Sequence, residues 1–274
     1  MDVLAHCRIY PLANYIRPEL KFINISNDLI INNNKSIISV NDHLDDDKND
    51  DNNTNKVALA HLIEHEFKLT TFKKKLLIDL ITIPNHEKNG KNSYLIIDIS
   101  STWKQYLIEL FDRENNQTNF TTSINYMNSF SILNMDGLIN FLMQLNGSPI
   151  DALKRCQQYP STSSDSIDQY QLSGIIIDNL SYISSSSSSS TSTFPLLLKL
   201  LKLLRKSFGC WIFTTSYGIS YYKGIENSLE SSPSSSSIHL QQHSKKLPTY
   251  FPESFINGMD MILLHETELK SRIL

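Results

Sequence analysis

The sequence predicts an α/β domain whose largely parallel sheet is flanked by helices, and three observations carry that expectation. Short runs apolar on both faces, such as 94–99 and 172–177, alternate with segments of helical spacing. Strands buried on both faces and separated by helices form parallel sheets covered on each side. The chain has 274 residues, 40% of them hydrophobic, enough to bury a sizeable core. Its polar tracts are not flanked by enough independent core to mark a boundary, so 1–274 reads as a single domain.

The elements follow in order. Residues 57–63 and 94–99 are β-rich apolar runs, whereas 103–111 and 137–145 repeat apolar side chains at helical intervals. Residues 172–177 read as a strand, 196–208 as a helix, 210–214 as a strand and 259–264 as a last strand. Three tracts break this alternation. Residues 41–56 are almost entirely Asp and Asn, 184–193 are dominated by serine, and 217–250 form a long polar segment with a second serine tract. Such compositions cannot repay the entropy of ordering, so disordered acidic and Ser-rich insertions are expected there.

Composition narrows the function classes. Lys and Arg number 25 against 28 Asp and Glu, a formal charge of -3, so any contact with a polyanion must be local. Cys7, Cys156 and Cys210 are an odd number without C-x-x-C spacing, which favours a reducing compartment, with Cys156 and Cys210 packed as small apolar side chains. No apolar run approaches the roughly 20 residues of a membrane span. The 8 glycines, at 90, 137, 147, 174, 209, 218, 224 and 258, include no pair two or five apart. Both G-x-G-x-x-G and G-x-x-x-x-G-K-[ST] are thereby excluded, and with them the two standard phosphate cradles.

One metal pattern needs weighing. His61-Leu62-Ile63-Glu64-His65 fits H-x-x-E-H, which binds zinc only on a helix. The β-rich run before it puts His61 on a strand, where four residues span roughly 13 Å, too far for one ion. No Ser-His-Asp or Cys-His constellation is supported by spacing, and no cofactor is expected.

The downstream half carries a recognisable order. Leu172-Ser173-Gly174-Ile175-Ile176-Ile177-Asp178-Asn179 is a hydrophobic strand ending in an acid. It is followed by the serine run, a leucine-rich helix, Phe208-Gly209-Cys210-Trp211-Ile212-Phe213-Thr214-Thr215-Ser216, the long polar segment and a strand at Met259-Asp260-Met261-Ile262-Leu263-Leu264. This order resembles the ATPase core of RecA-type recombinases: Walker B strand, first loop, helix, Thr-rich strand end, second DNA-binding loop, strand. Upstream, Tyr94-Leu95-Ile96-Ile97-Asp98 and Ser100-Ser101-Thr102-Trp103 resemble the family's strand that precedes its catalytic glutamate, with Ser100 at that place. His65-Glu66-Phe67-Lys68-Leu69-Thr70-Thr71-Phe72 resembles its phosphate loop in the middle residues only. There His65 and Thr70 replace glycines, Thr71 the phosphate-binding lysine and Phe72 the Mg²⁺-binding hydroxyl. Sliding the register to Lys73, Lys74 or Lys75 restores no glycine at either place. Serine cannot act as a carboxylate base, so the resemblance implies a RecA-like fold without ATPase chemistry.

Further segments narrow it. Arg8-Ile9-Tyr10-Pro11-Leu12-Ala13-Asn14-Tyr15-Ile16, Tyr126-Met127-Asn128-Ser129, Ser148-Pro149-Ile150-Asp151-Ala152-Leu153-Lys154-Arg155-Cys156 and Gly224-Ile225-Glu226-Asn227 together resemble the platinum-sensitivity subunits of fungal Shu complexes. That resemblance implies a non-catalytic, DNA-binding subunit in the nucleus that promotes recombinase filament assembly in homologous recombination and error-free damage tolerance. Implied partners are DNA, a second recombinase-like subunit as heterodimer, the remaining Shu subunits and the recombinase filament. It also implies that the second loop, 217–250, meets DNA. The candidate contacts are Lys223, His243, Lys245 and Lys246, of which Lys245 and Lys246 are the loop's only adjacent lysine pair. Lys199, Lys202 and Lys206, three and four residues apart on the leucine-rich helix, form a rival basic stripe whose ordinary role is a solvated face. Two other function classes stay open: a divergent P-loop ATPase, and a heterodimer partner that touches no DNA.

Overall fold

A computed structural model describes residues 18–23, 37–38, 57–64, 69–82, 91–114, 123–159, 170–184, 190–218 and 249–265. Eight strands form one sheet in the order β1-β8-β2-β7-β6-β3-β4-β5. They are β1 Ile37–Ile38, β2 Leu59–Glu64, β3 Lys91–Asp98, β4 Ser123–Asn128, β5 Gln157–Tyr159, β6 Tyr170–Asp178, β7 Trp211–Tyr217 and β8 Met261–His265. The six central strands pair in parallel, and only the short edges β1 and β5 are antiparallel. This is the α/β, largely parallel architecture that the alternation of apolar runs predicts.

Helices cover both faces. Those described are α1 Thr71–Thr82, α2 Lys104–Glu114, α3 Met135–Gly147, α4 Pro149–Leu153, α5 Ser181–Ser184, α6 Ser190–Phe208 and α7 Glu253–Ile256. The pleat sends alternate residues to opposite sides. Ala60, Leu62, Ile96, Ile176 and Phe213 pack with Leu76, Leu77 and Leu80 of α1 and Leu107 of α2. Leu59, Ile63, Leu95, Ile97, Ile177 and Ile212 pack with Leu138 and Leu142 of α3 and Leu197, Leu201 and Leu204 of α6. Two apolar clusters sandwich the sheet.

Local chemistry sets the element ends. Helix α3 starts at an Asn134 side chain that accepts from Gly137 N at 2.8 Å, an N-cap that satisfies one free amide of the first turn. Helix α6 ends in Arg205 and Lys206, favourable at the negative end of the helix dipole. Gly209 follows with φ of 69°, and its N–H donates to Arg205 O at 2.9 Å. An added Cβ there would lie 2.1 Å from Glu19 O, so glycine supplies both the left-handed turn and the close approach. The Arg205 guanidinium also donates to the carbonyls of Lys21, Gly209 and Cys210, which ties segment 18–23 to this turn.

Several boundaries differ from those read in the sequence. Helix α6 begins at Ser190 instead of 196, taking in the last residues of the stretch 184–193, because Phe194 buries its ring against Phe251 and Phe255. Strand β7 continues to Tyr217 instead of stopping at 214, because the hydroxyls of Thr214, Thr215 and Ser216 each find a buried partner. Strand β2 runs from Leu59, with Val57 in an isolated bridge to Ile23. Helix α1 and strands β1, β4 and β5 have no counterpart among the elements read from periodicity. The acidic stretch 41–56 lies outside the described residues.

Candidate functional site

Every parallel strand ends at one edge of the sheet, and polar residues converge there: Glu64 on β2, Asp98 on β3, Asp178 on β6 and Thr215 near the end of β7. Ligands of open α/β sheets bind beyond this carboxyl edge. Here the edge is occupied from within by a lysine.

Lys73 projects from the first turn of α1, whose start is capped by Thr70 Oγ1 accepting from Lys73 N at 3.2 Å. Helical spacing puts it on the face of Leu76, Leu77 and Leu80, so the side chain points into the domain and only 5% of it is exposed. Its ammonium donates to Asp178 Oδ1 at 2.8 Å and lies 2.7 Å from Asp178 Oδ2 and 2.8 Å from Glu64 Oε1. The network continues outward. Thr215 Oγ1 donates to Asp178 Oδ1 at 2.6 Å, Trp103 Nε1 to Asp178 Oδ2 at 2.5 Å, and Asn179 Nδ2 to Glu64 Oε1 at 3.2 Å. The peptide bond Asp178–Asn179 is cis.

The electrostatics follow from two carboxylates sharing one buried cation. Burial raises Glu64 to about 7, with Asp178 pushing in the same direction and Lys73 and Asn179 opposing it. Burial alone would lower Lys73, but Asp178 and Glu64 outweigh it and hold the lysine above its ordinary value. Glu64 Oε2 has no hydrogen-bond partner among the described residues, consistent with a carboxyl that takes up a proton readily. The cavity beside Lys73, lined by Leu76, Leu77, Trp103 and Phe213 among others, measures about 10 Å³. That is room for about one water.

Asp98 is held in a separate set of contacts. It accepts from Thr102 N at 3.1 Å, Trp103 N at 2.9 Å and Tyr126 OH at 2.8 Å, and burial raises its pKa. Ser100 donates its hydroxyl to Asp98 Oδ1 at 3.1 Å. Thus Asp98 organises the turn into α2, and Ser100 serves the same turn.

The lysine that meets Asp178 is Lys73, whereas Thr71 is exposed at the helix start. Phe72 is buried and its ring stacks on His265 at 4.8 Å. His61 sits on strand β2, fully buried, with Nδ1 2.7 Å from Thr214 Oγ1 and Nε2 2.8 Å from Ser216 Oγ. Both ring nitrogens are therefore engaged by hydroxyls, and burial lowers its pKa to about 3. His65 lies outside the described residues, as do Lys223, His243, Lys245 and Lys246. Lys199, Lys202 and Lys206 line the exposed side of α6, and the first two border a groove of about 300 Å³ with Pro195, Leu198 and Ser254. Cys210 is buried, and Cys156 packs partly against the same core.

Comparison with known proteins bears on this edge. A family model described as "Shu complex component Psy3, DNA-binding description" matches residues 7–268. The chain belongs to the Psy3 family. Platinum sensitivity protein 3 of Saccharomyces cerevisiae is 35% identical over 273 residues, covering 97% of this chain and 93% of that protein. The Psy3 match thus spans the filled sheet edge, the Lys73 helix and both sides of the stretch between Gly218 and Thr249. Sequence reasoning missed Lys73 as the cation of this buried network, although one signal was present. It precedes Leu76, Leu77 and Leu80 at spacings of three, four and seven, which puts a lysine on a buried helix face.

Proposed function

We propose that this chain is a non-catalytic, DNA-binding subunit of a Shu complex that promotes recombinase filament assembly in homologous recombination and error-free damage tolerance, in the nucleus. The observation that carries it is the Psy3 match along residues 7–268, whose description includes DNA binding. Three features support the absence of ATPase chemistry. Lys73 is committed to Asp178 and Glu64, Ser100 occupies the place of the carboxylate base, and the space beside Lys73 holds about one water. Among the described residues no helix is long and apolar enough to cross a membrane.

The DNA contact is assigned to the second loop, with Lys245 and Lys246 as its principal charges and Lys223 and His243 as helpers. The partners are a second recombinase-like subunit, the remaining Shu subunits and the recombinase filament. Phe130 and Leu133, 85% and 76% exposed in the connection from β4 to α3, support a subunit contact there. The deciding experiment is DNA binding by the intact heterodimer carrying Lys245→Ala and Lys246→Ala. Weaker binding across all sequences, with the slope of log affinity against log salt reduced by roughly two, is expected. An unchanged affinity and slope would move the contact to the partner or to Lys199, Lys202 and Lys206. Mg²⁺-dependent ATP binding by the purified complex, lost in Lys73→Met, would establish the ATPase reading instead.

A further inference from the structure

Three lysines of helix α6 form one exposed row. Lys199, Lys202 and Lys206 follow at spacings of three and four, which aligns them on one face over about 10 Å. All three are exposed, and none makes an ion pair among the described residues. From Ser190 to Phe208 the helix holds no Asp or Glu. Apolar side chains border the row on both sides. Leu196 and Leu203 are 43% and 41% exposed on one side, and Leu198 lies on the other.

Beside this row the surface sinks into the groove of about 300 Å³ between α6 and α7. Pro195, Leu198, Lys199 and Lys202 line it from α6, and Ser254 lines it from α7. Its depth has a local cause. Leu198 leans on Gly258, where an added Cβ would lie 2.3 Å from Leu198 Cδ2, so the side chain packs towards the core instead of filling the space between the helices. On α7, Phe255 and Ile256 turn inward and are buried, which leaves the short, exposed Ser254 on the outer wall. Glu253, its neighbour, is not among the lining residues. The volume is at the lower end of the range for ligand pockets, about 300–1,000 Å³, and suits an anchoring side chain of a peptide.

We propose that the groove between α6 and α7 docks an acidic segment of a Shu subunit outside the heterodimer, with an apolar side chain seated against Pro195 and Leu198 and carboxylates paired with Lys199, Lys202 and Lys206. This rests on the assembly of the chain into a Shu complex. Charge alone does not select the occupant, because a row of unopposed ammonium groups attracts carboxylates and phosphates alike. The apolar borders decide. A phosphate backbone brings no apolar surface to cover Leu196, Leu198 and Leu203, whereas an amphipathic acidic peptide covers them and meets the lysines at the same time.

The test uses the intact heterodimer and an array of overlapping peptides that tiles the remaining Shu subunits. Wild type is expected to retain peptides that carry Asp or Glu beside an aromatic or aliphatic residue. Lys199→Glu with Lys202→Glu should bind those peptides about tenfold more weakly, the scale of losing two partly exposed charge pairs. Ser254→Trp fills the groove and leaves all three lysines in place, and it should weaken the same peptides by a similar factor. A peptide with Lys in place of its acids should prefer the Glu variant to wild type. All three positions face solvent, so thermal unfolding and heterodimer formation should be unaltered in both variants.

An array from which no acidic peptide is retained would overturn the proposal, as would retention that neither variant alters. Loss in the lysine variant without loss in Ser254→Trp would also overturn it, reducing the row to unspecific attraction. DNA affinity is measured on the same proteins. A fall in the lysine variant, with the slope of log affinity against log salt reduced by roughly two, would assign the row to phosphate contact instead. Association of the whole remaining Shu subunits with the heterodimer is titrated in parallel. Its absence removes the assembly on which the proposal rests and the proposal with it, whereas a complete assembly in which no peptide occupies the groove refutes the groove alone.

Discussion

The ammonium of Lys73 meets the carboxylate of Asp178 through contacts of 2.8 and 2.7 Å, although 105 residues separate them in the chain. The pair sits where strands β2, β6 and β7 end, a region that in α/β sheets ordinarily receives a ligand. In this Psy3-family chain the region is closed by side chains from four elements. Its polar groups thus serve the fold.

Breaking that pair from one side should be expensive. Lys73→Met leaves Asp178 and Glu64 buried without their cation, and loss of one partner of a buried ion pair typically costs about 3–5 kcal/mol. Urea unfolding of the single variant is expected to show a loss of that order. The triple variant Lys73→Met, Glu64→Gln, Asp178→Asn, which leaves no buried charge unpaired, should recover most of it. A single variant within about 0.5 kcal/mol of wild type, the scale of an ordinary surface substitution, would show that the pair contributes little.

Two buried groups give the stability curve opposing slopes between pH 4.5 and 6.5. His61 falls from 6.5 to about 3 on folding because of burial, so over that interval the unfolded chain binds the extra proton and acid destabilises. Glu64 rises from 4.5 to about 7, again chiefly by burial, so from 7 down to 4.5 the folded chain holds the extra proton and acid stabilises. Each contributes at most about 1.4 kcal/mol per pH unit. His61→Asn should therefore gain stability on acidification relative to wild type, and Glu64→Gln should lose it. Unfolding free energies at pH 5 and 6.5 that change in parallel for all three proteins would refute the assignment.

Gly174 is required by the ring of Trp211. A Cβ at this position would lie 2.3 Å from two indole carbons, and the Trp211 ring is itself buried near Tyr94 with centroids 5.7 Å apart. Gly174→Ala must push that ring into a packed layer, an overpacking cost of about 1–3 kcal/mol. Thermal unfolding checks the loss, and a Trp211→Phe background should relieve part of it.

The exposed Phe130 and Leu133 test the subunit contact. Side chains that already face solvent add little to the stability of the isolated chain. Phe130→Asp with Leu133→Asp should leave the fold intact but weaken heterodimer association by at least about tenfold, as loss of buried apolar anchors does. Co-purification at wild-type yield, with unaltered affinity by titration, would place the interface elsewhere.

Legibility differed from element to element. Strand β6 was plain because an unbroken run from Ile175 to Ile177 ends in Asp178, and α6 because its leucines recur at helical intervals opposite Lys199, Lys202 and Lys206. Helix α1 was not, since Lys73, Lys74 and Lys75 are the third to fifth of its twelve residues and mask its buried face until the partners of Lys73 are known. The extension of α6 back to Ser190 depends on Phe194 reaching Phe251 and Phe255, which lie more than fifty residues further along the chain. The polar strand end Thr214-Thr215-Ser216 looked like a turn because its partners, His61 and Asp178, lie on neighbouring strands.

By itself the sequence determined what local periodicity and residue chemistry can express. It specified alternating buried strands and amphipathic helices and no standard glycine cradle for phosphate. Tertiary structure alone decided which charges meet. Sheet order puts β7 between β2 and β6, so Glu64 and Asp178 come to flank one strand end, and helix α1 then delivers Lys73 between them. Hydrophobic periodicity reports only whether a face is buried. The partner of a buried charge is set by register and strand order across the whole domain, because a bare ammonium or carboxylate in the interior must find its opposite wherever the sheet brings one.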